Sequence, residues 1–172
     1  MLICKFVSMA IREIKVLPDE ILRQKAKRVS IISPSINRLI KDMTDTLKAY
    51  KGVGLAAPQI GVSLRVIVIQ LPEEEPFALI NPQIIKRIGS REVIEGCLSI
   101  PGYEGKIKRS IKVSARGLDP KGKEVRIKGE ELLAQALEHE IDHLNGILYI
   151  DHLASEQDFF KIEPVAQEGS LE

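Results

Sequence analysis

In the stretch "LEHEIDHLNG", residues 137–146, two histidines stand four apart with a glutamate directly after the first. The chain has 172 residues and three histidines, so two of the three fall within this short segment. Residues four apart on a helix share a face, with roughly 5–6 Å between them, and His139 and His143 so placed can bind one ion. Glu140 falls off that line, where it can touch a water on the ion rather than the ion. This H-E-x-x-H arrangement pairs two ligands with a general base. The same five residues can arise by chance, as polar helix residues that satisfy each other.

The helix that must carry them is "GEELLAQALEHEIDHLNG", opened after Gly129 by an acidic turn and ended by Gly146. At about 100° per residue, Leu133, Leu137, Ile141 and Leu144 form one apolar stripe. Leu132, Ala136, His139 and His143 form a second, with Glu140 between the two and Glu138 on the side left to solvent. A helix apolar on two sides belongs among other elements rather than on a surface.

Two histidines do not hold a catalytic metal, so a further ligand is required. In the metzincin spacing it would fall on Tyr149, and His152 lies out of register. A later glutamate has no helix to sit on, because "KIEPVAQEGSLE" carries no apolar periodicity. The missing ligand is therefore expected upstream. Of the two cysteines, Cys4 sits in "MLICKFVS" and reads as an ordinary thiol. Cys97 sits in "VIEGCLSIPGY", where an alternating strand breaks into Gly96 and a Pro-Gly turn. A lone cysteine is commonly a small buried hydrophobe. A disulfide between the two needs an oxidising compartment that nothing else here suggests.

With Cys97 three motifs converge. "GVGLAAPQIG" (52–61), "EGCLS" (95–99) and "HEIDHLNG" (139–146) resemble the three signature motifs of the peptide deformylases, in the same order, within a likeness running from Ile11 to Asp151. The resemblance implies that Cys97, His139 and His143 bind a divalent metal and that Glu140 is the acid/base. It implies that Gln59 and the backbone N–H of Leu98 stabilise an oxyanion, and that Gly54 meets substrate through its main chain. It implies Fe²⁺ as the physiological ion, with Zn²⁺, Ni²⁺ or Co²⁺ as substitutes. The implied reaction removes formate from the N-terminal formyl-methionine of newly made chains. Three departures stand out. Glu138 replaces a more usual glutamine, Glu104 falls where many members carry arginine near the substrate backbone, and the tail is short and acidic where some relatives carry a basic helix.

The chemistry follows from the residue types. One thiolate and two imidazoles leave a fourth position open, and Glu140 can move protons between water and a leaving amine. Gln59 offers an amide N–H₂ to charge developing on a carbonyl oxygen; losing one such donor costs about 2.7–4 kcal/mol of transition-state energy. Gly52 is expected to end the helix "SPSINRLIKDMTDTLKAYK" in left-handed geometry, and Gly54 to let another backbone approach. "LRVIVIQ" and "REVIE" read as strands, between which a peptide can add main chain to main chain. Val53, Val93, Leu132 and Ala136 are expected to line an apolar pocket for the methionine side chain. A phosphate-loop reading of "GVGLAAPQ" fails, since it has neither a Gly-Lys-Ser/Thr ending nor G-x-G-x-x-G spacing.

Length and composition agree. Residues 1–172 read as a single catalytic domain, with 1–10 an extension and 153–172 a tail, both peripheral. With no Trp, four Phe and three Tyr, aliphatic side chains must supply the core. The expected fold is α+β: an N-terminal helix, then short, mostly antiparallel strands packed around a central helix carrying the H-E-x-x-H residues. "MLICKFVS" makes a poor signal peptide, Met9 is an alternative start, and no apolar run approaches the roughly 20 residues of a membrane span. A cytoplasmic protein is expected, with no membrane partner. A net charge of +1 argues against DNA. The basic stretch 106–128 reads as the solvated face of strands, with a transient ribosome contact as the functional alternative. Two other functions stay open: an H-E-x-x-H protease or amidase on other substrates, and a protein whose metal is structural. Glu140 counts against the latter, because a closed structural site needs no general base beside it.

Overall fold

The computed structural model describes residues 10–162. In chain order its elements are helix α1 (Pro34–Tyr50), strands β1 (Gly54–Ala56), β2 (Val66–Ile69), β3 (Phe77–Ile88), β4 (Arg91–Cys97), β5 (Ile100–Arg109), β6 (Lys112–Leu118) and β7 (Glu124–Glu130), helix α2 (Glu131–Leu144) and strand β8 (Phe159–Lys161). Short 3₁₀ turns occur at Glu20–Arg23, Ala57–Ile60, Tyr149–His152 and Glu156–Asp158. The strands form a five-stranded sheet in the order β1-β2-β3-β6-β7 and a three-stranded sheet in the order β4-β5-β8. Every strand pair is antiparallel. The architecture is α+β, as expected. No helix among the described residues is long and apolar enough to cross a membrane.

Strand β2 explains how two helices come to share one sheet. All four residues of "VIVI" are fully buried, because alternate side chains face opposite ways and both faces are covered. Val66 and Val68 pack with Met43 and Leu47 of α1. Ile67 and Ile69 pack with Leu137, Ile141 and Leu144 of α2. Ile36, Leu39, Met43 and Leu47 of α1 are all buried, the i, i+3, i+4 stripe of an amphipathic helix. Fully burying Met43 or Leu47 contributes about 1.5–3 kcal/mol each. A third cluster, Val93, Ile100, Ile107, Leu148 and Tyr149, lies under the smaller sheet.

The chain ahead of α1 fastens these layers together. The backbone N–H of Lys15 donates to Gln59 O at 2.7 Å and that of Leu17 to Ser99 O at 3.0 Å. Arg12 reaches Asp42 of α1 at 2.7 and 3.0 Å. Two loops with expected chemical roles are thereby tied to one segment.

Four expectations need correction here. Helix α1 closes on Lys51, which takes the left-handed conformation with φ 53° and donates to Leu47 and Lys48, so Gly52 is not its left-handed cap. Glu138 is not on a solvent side: it is 6% exposed. It accepts from Arg87 Nε at 2.7 Å, Ser110 N at 2.8 Å and Ser110 Oγ at 3.0 Å. The long β3 and the β5–β6 turn reach over that face of α2, which helix periodicity alone does not reveal. The basic strands are a solvated face at Lys106, Lys108, Lys112, Arg116 and Arg126, but Arg109 points inward and is 5% exposed. Finally, the tail from 153 is not peripheral throughout. Phe159–Lys161 pairs with β5, and Phe159 stacks on Tyr103 with ring centroids 4.9 Å apart. Cys4, the alternative start at Met9 and the acidic residues beyond Ile162 lie outside the described residues.

Candidate metal centre

Strands β4 and β5 reverse at Leu98–Ser99 rather than at the Pro-Gly pair that follows. Their register runs evenly to Gly96 opposite Glu104 and then jumps to Cys97 opposite Ile100. This bulge re-aims the strand end, and Cys97 meets the histidine face of α2. The donor atoms of Cys97, His139 and His143 all lie within 4.8 Å of one another. Cys97 Sγ is 3.2 Å from His143 Nε2, and the two Nε2 atoms are 3.2 Å apart. Two nitrogens about 2.1 Å from a tetrahedral ion stand roughly 3.4 Å apart, and a nitrogen and a sulfur roughly 3.6 Å. The observed spacing fits one ion after a shift of a few tenths of an ångström. Donors of this kind suit a borderline metal such as zinc or ferrous iron.

The residues behind these three donors fix their chemistry. His139 Nδ1 donates to Glu95 Oε2 at 2.7 Å, which turns Nε2 toward the centre. Burial would lower the ring's pKa, but hydrogen bonds with Cys97 and Glu95 raise it well above the ordinary value. The ring is therefore charged until an ion takes the place of its Nε2 proton. Arg109 grips Glu95 through Nε at 3.0 Å and Nη2 at 2.8 Å. It grips Asp142 through Nη1 at 2.6 Å, and Asp142 accepts from His152 Nε2 at 2.8 Å. Burial alone would raise the Glu95 pKa, but hydrogen bonds from His139 and Arg109 outweigh it and pull the value down to about 2. Arg109 moves the other way: burial would lower its pKa, but Glu95 and then Asp142 raise it. His143 is 1% exposed; burial, then the charge of His139, keeps it neutral far below the usual range.

Glu140 is 3% exposed. Burial is the main cause that pushes its pKa up to about 7, and the nearby His139 charge partly opposes the shift. Its Oε2 and the Nδ1 of His143 are buried with no hydrogen-bond partner among the described residues. Orphaned buried polar atoms are rare in folded proteins and point to a missing ligand or water. Gly54 makes the room for this carboxylate. A Cβ there would stand 2.7 Å from Glu140 Cδ and 2.8 Å from Cγ, and closer still to Oε1. The close approach that the glycine permits is therefore first of all that of Glu140.

A cavity of about 500 Å³ opens on the centre. It is lined by Val53, Gly54, Gln59, Cys97, Leu98, Leu132, Ala136, His139 and Glu140, with Ile94, Tyr103 and Ile162 toward its mouth. Gln59 is 1% exposed. Its Oε1 accepts from Ala56 N at 2.9 Å, which fixes the amide so that Nε2 points to Ser99 Oγ at 3.2 Å and Cys97 Sγ at 3.5 Å. The expected pocket residue Val93 does not reach the cavity: it is 7% exposed and packs in the third core cluster. Strand alternation turns its neighbour Ile94 to the cavity instead. The network Glu95–Arg109–Asp142–His152 was missed from sequence. One signal existed, since Val93, Glu95 and Cys97 share a strand face by period two and a carboxylate there lies on the ligand's own side.

Two imidazoles, a thiolate and a buried carboxylate of raised pKa beside an open cavity define the site of a metal-dependent hydrolase. Residues 11–159 match the family model described as polypeptide deformylase. A peptide deformylase of Dehalococcoides mccartyi is 56% identical over 157 residues, covering 91% of this chain and 94% of that protein. The crystal structure of a peptide deformylase from Legionella pneumophila superposes with a TM-score of 0.83 at 49% identity, covering 87% and 89% of the two chains. That of the Synechococcus elongatus peptide deformylase, in complex with actinonin, gives 0.83 at 38% identity over 92% and 87%. The chain belongs to the polypeptide deformylase family, and its activity is the metal-dependent removal of an N-terminal formyl group.

Proposed function

We propose that the chain hydrolyses the formyl amide of N-formylmethionyl peptides with Cys97, His139 and His143 as metal ligands and Glu140 as acid/base. The observation that carries this reading is the meeting of three donor atoms beside an unpartnered Glu140 oxygen, with Cys97, His139 and Glu140 lining one cavity. When bound, the ion supplies a Lewis acid that brings the pKa of water to about 7 and polarises a carbonyl. Glu140 accepts a proton from the attacking water and returns one to the departing amine, so water adds across the C–N bond and formate leaves. Gln59 Nε2, held by Ala56, and the Leu98 N–H donate to the oxygen on which charge develops. Val53, Leu132 and Ala136 receive the methionine side chain.

Strands β1 and β4 are each an edge of their sheet, and both contribute lining to the cavity. A peptide laid between them, with Gly54 among its main-chain contacts, extends a sheet edge rather than displacing one. We further take α2 as the central element about which the strands are arranged, residues 1–172 as one catalytic domain, Fe²⁺ as the ion in the cell and the cytoplasm as its place. The basic face of β5–β7 is our candidate for a passing ribosome contact. The experiment is formate release from a formyl-Met peptide. Metal-loaded protein should release formate, a chelator should stop it and added Fe²⁺ should restore it. No release from the loaded protein would overturn the reading.

A further inference from the structure

A second cavity, of about 560 Å³, shares no lining residue with the first. Its volume falls within the roughly 300–1,000 Å³ of small-molecule sites. It opens where β3 outruns β2. The β2–β3 pairing covers only Phe77–Ile80 of β3, so Gln83–Ile88 is paired on the β6 side alone. Five cationic residues line it: Lys25, Arg28, Arg65, Arg87 and Arg116. No acidic residue does.

Arg65 is 8% exposed. It donates from Nη1 to Leu144 O and Asn145 Oδ1, each at 3.0 Å, and from Nη2 to Pro82 O at 3.2 Å. These acceptors are uncharged, and no carboxylate pairs with Arg65 among the described residues. A buried charge is ordinarily paired; this one caps a C-terminal carbonyl of α2 and otherwise meets the Asn145 amide and the Pro82 carbonyl. Burial, then the charge of Arg28, both push its pKa down, the mark of positive charge without a counter-ion. Arg87 alone is offset, by Glu138 at 2.7 Å. Arg116 is steadied by Gln83 Oε1 at 3.3 Å. A chain of net charge +1 has thus gathered a cationic excess in one concavity.

We infer that this cavity is a binding site for phosphate groups. Guanidinium forks held in place by neutral acceptors match phosphate oxygens and lose little freedom on binding. Such groups come on a small polyphosphate or on an RNA backbone, and the test separates the two. Pyrophosphate binding by calorimetry and short single-stranded RNA binding by fluorescence anisotropy are measured on the full chain at low salt. The Arg28→Glu/Arg116→Glu variant is compared with wild type, with formate release as the control for folding. Either probe should bind wild type and lose about tenfold or more in the variant, while formate release stays unchanged. Binding of pyrophosphate assigns the small ligand. RNA binding without pyrophosphate binding, weakening with salt at a slope of about 2–3, assigns the backbone. Absence of binding by both probes, equal binding by variant and wild type, or equal displacement by polyglutamate would overturn the inference.

Discussion

Replacing Glu95 by Gln tests whether the carboxylate behind His139 does what the geometry requires. The side chain is 5% exposed and bonded to His139 and to the Nε/Nη2 edge of Arg109. Its pKa falls from an ordinary 4.5 to about 2, which at about 1.4 kcal/mol per pH unit corresponds to about 3 kcal/mol of folded-state stabilisation. Breaking a buried ion pair from one side costs a similar amount, about 3–5 kcal/mol. Because the folded pKa is depressed, the contribution is present above 4.5 and is lost as pH falls toward 2. Urea unfolding of metal-stripped wild type and Glu95→Gln should therefore differ by about 3 kcal/mol at neutral pH and converge at the low end of that window. Glutamine can still accept from His139, but more weakly, so metal affinity should fall by about 10–100-fold. A stability difference below about 0.5 kcal/mol at neutral pH, or one that does not shrink on acidification, would refute the assignment.

Glu140→Gln should keep its metal by elemental analysis and lose about 10²–10⁴-fold in kcat; near wild-type hydrolysis would remove Glu140 from the acid/base role. Its pKa is raised to about 7, so its charge costs stability progressively as pH rises from 4.5 through 7. Metal-free Glu140→Gln should accordingly be more stable than wild type at neutral pH, by up to about 3 kcal/mol, with the gain vanishing in acid. Ala136→Phe should raise KM for formyl-Met peptides more than it lowers metal content; an unchanged KM at full metal places the side-chain pocket elsewhere. Iron protein prepared without air should be more active than the same protein exposed to it, because a thiolate beside a redox-active ion is open to oxidation; equal activities would argue against iron. Lys121→Glu/Lys123→Glu/Lys128→Glu should weaken cosedimentation with ribosomes at low salt and leave hydrolysis intact, and unchanged sedimentation would return that face to plain solvation.

What could be read from sequence was what repeats with a local period. The α2 stripe put His139 and His143 on one face, and the structure brings their Nε2 atoms to 3.2 Å from each other. The apolar β-branched run of "LRVIVIQ" marked strand β2, though not that both its faces are covered. Errors arose where a long-range partner decides. Glu138 is polar and sits opposite the apolar stripes, yet Ser110 and Arg87 arrive from 28 and 51 residues away and bury it. Arg109 alternates with solvated lysines along β5, and only the meeting of that strand with β4 and α2 makes it the ion-pair partner of Glu95 and Asp142. Val93 failed for a related reason. Period two puts it on the face of Glu95 and Cys97, but Ile107, Leu148 and Tyr149 cover that face at Val93, and the cavity reaches β4 only from Ile94 onward.

The family motifs are more closely coupled than their spacing along the chain suggests. Gly54 belongs to the first and Glu140 to the third, yet a side chain at 54 would occupy the space of the carboxylate itself. Gln59 belongs to the first and Cys97 to the second, and the amide that faces the thiol is held by Ala56, again of the first. Glu95 and Cys97 occupy one strand face in the second, and Glu95 orients His139 of the third. Each motif therefore supplies part of the environment that gives the others their chemistry. A substitution that is conservative within its own motif, Gly54→Ala for one, should then act on the protonation and position of a residue 86 positions later. Metal content unchanged with kcat reduced would be its signature, since the atoms nearest a side chain at 54 all belong to Glu140, the proposed base, and none to the proposed ligands.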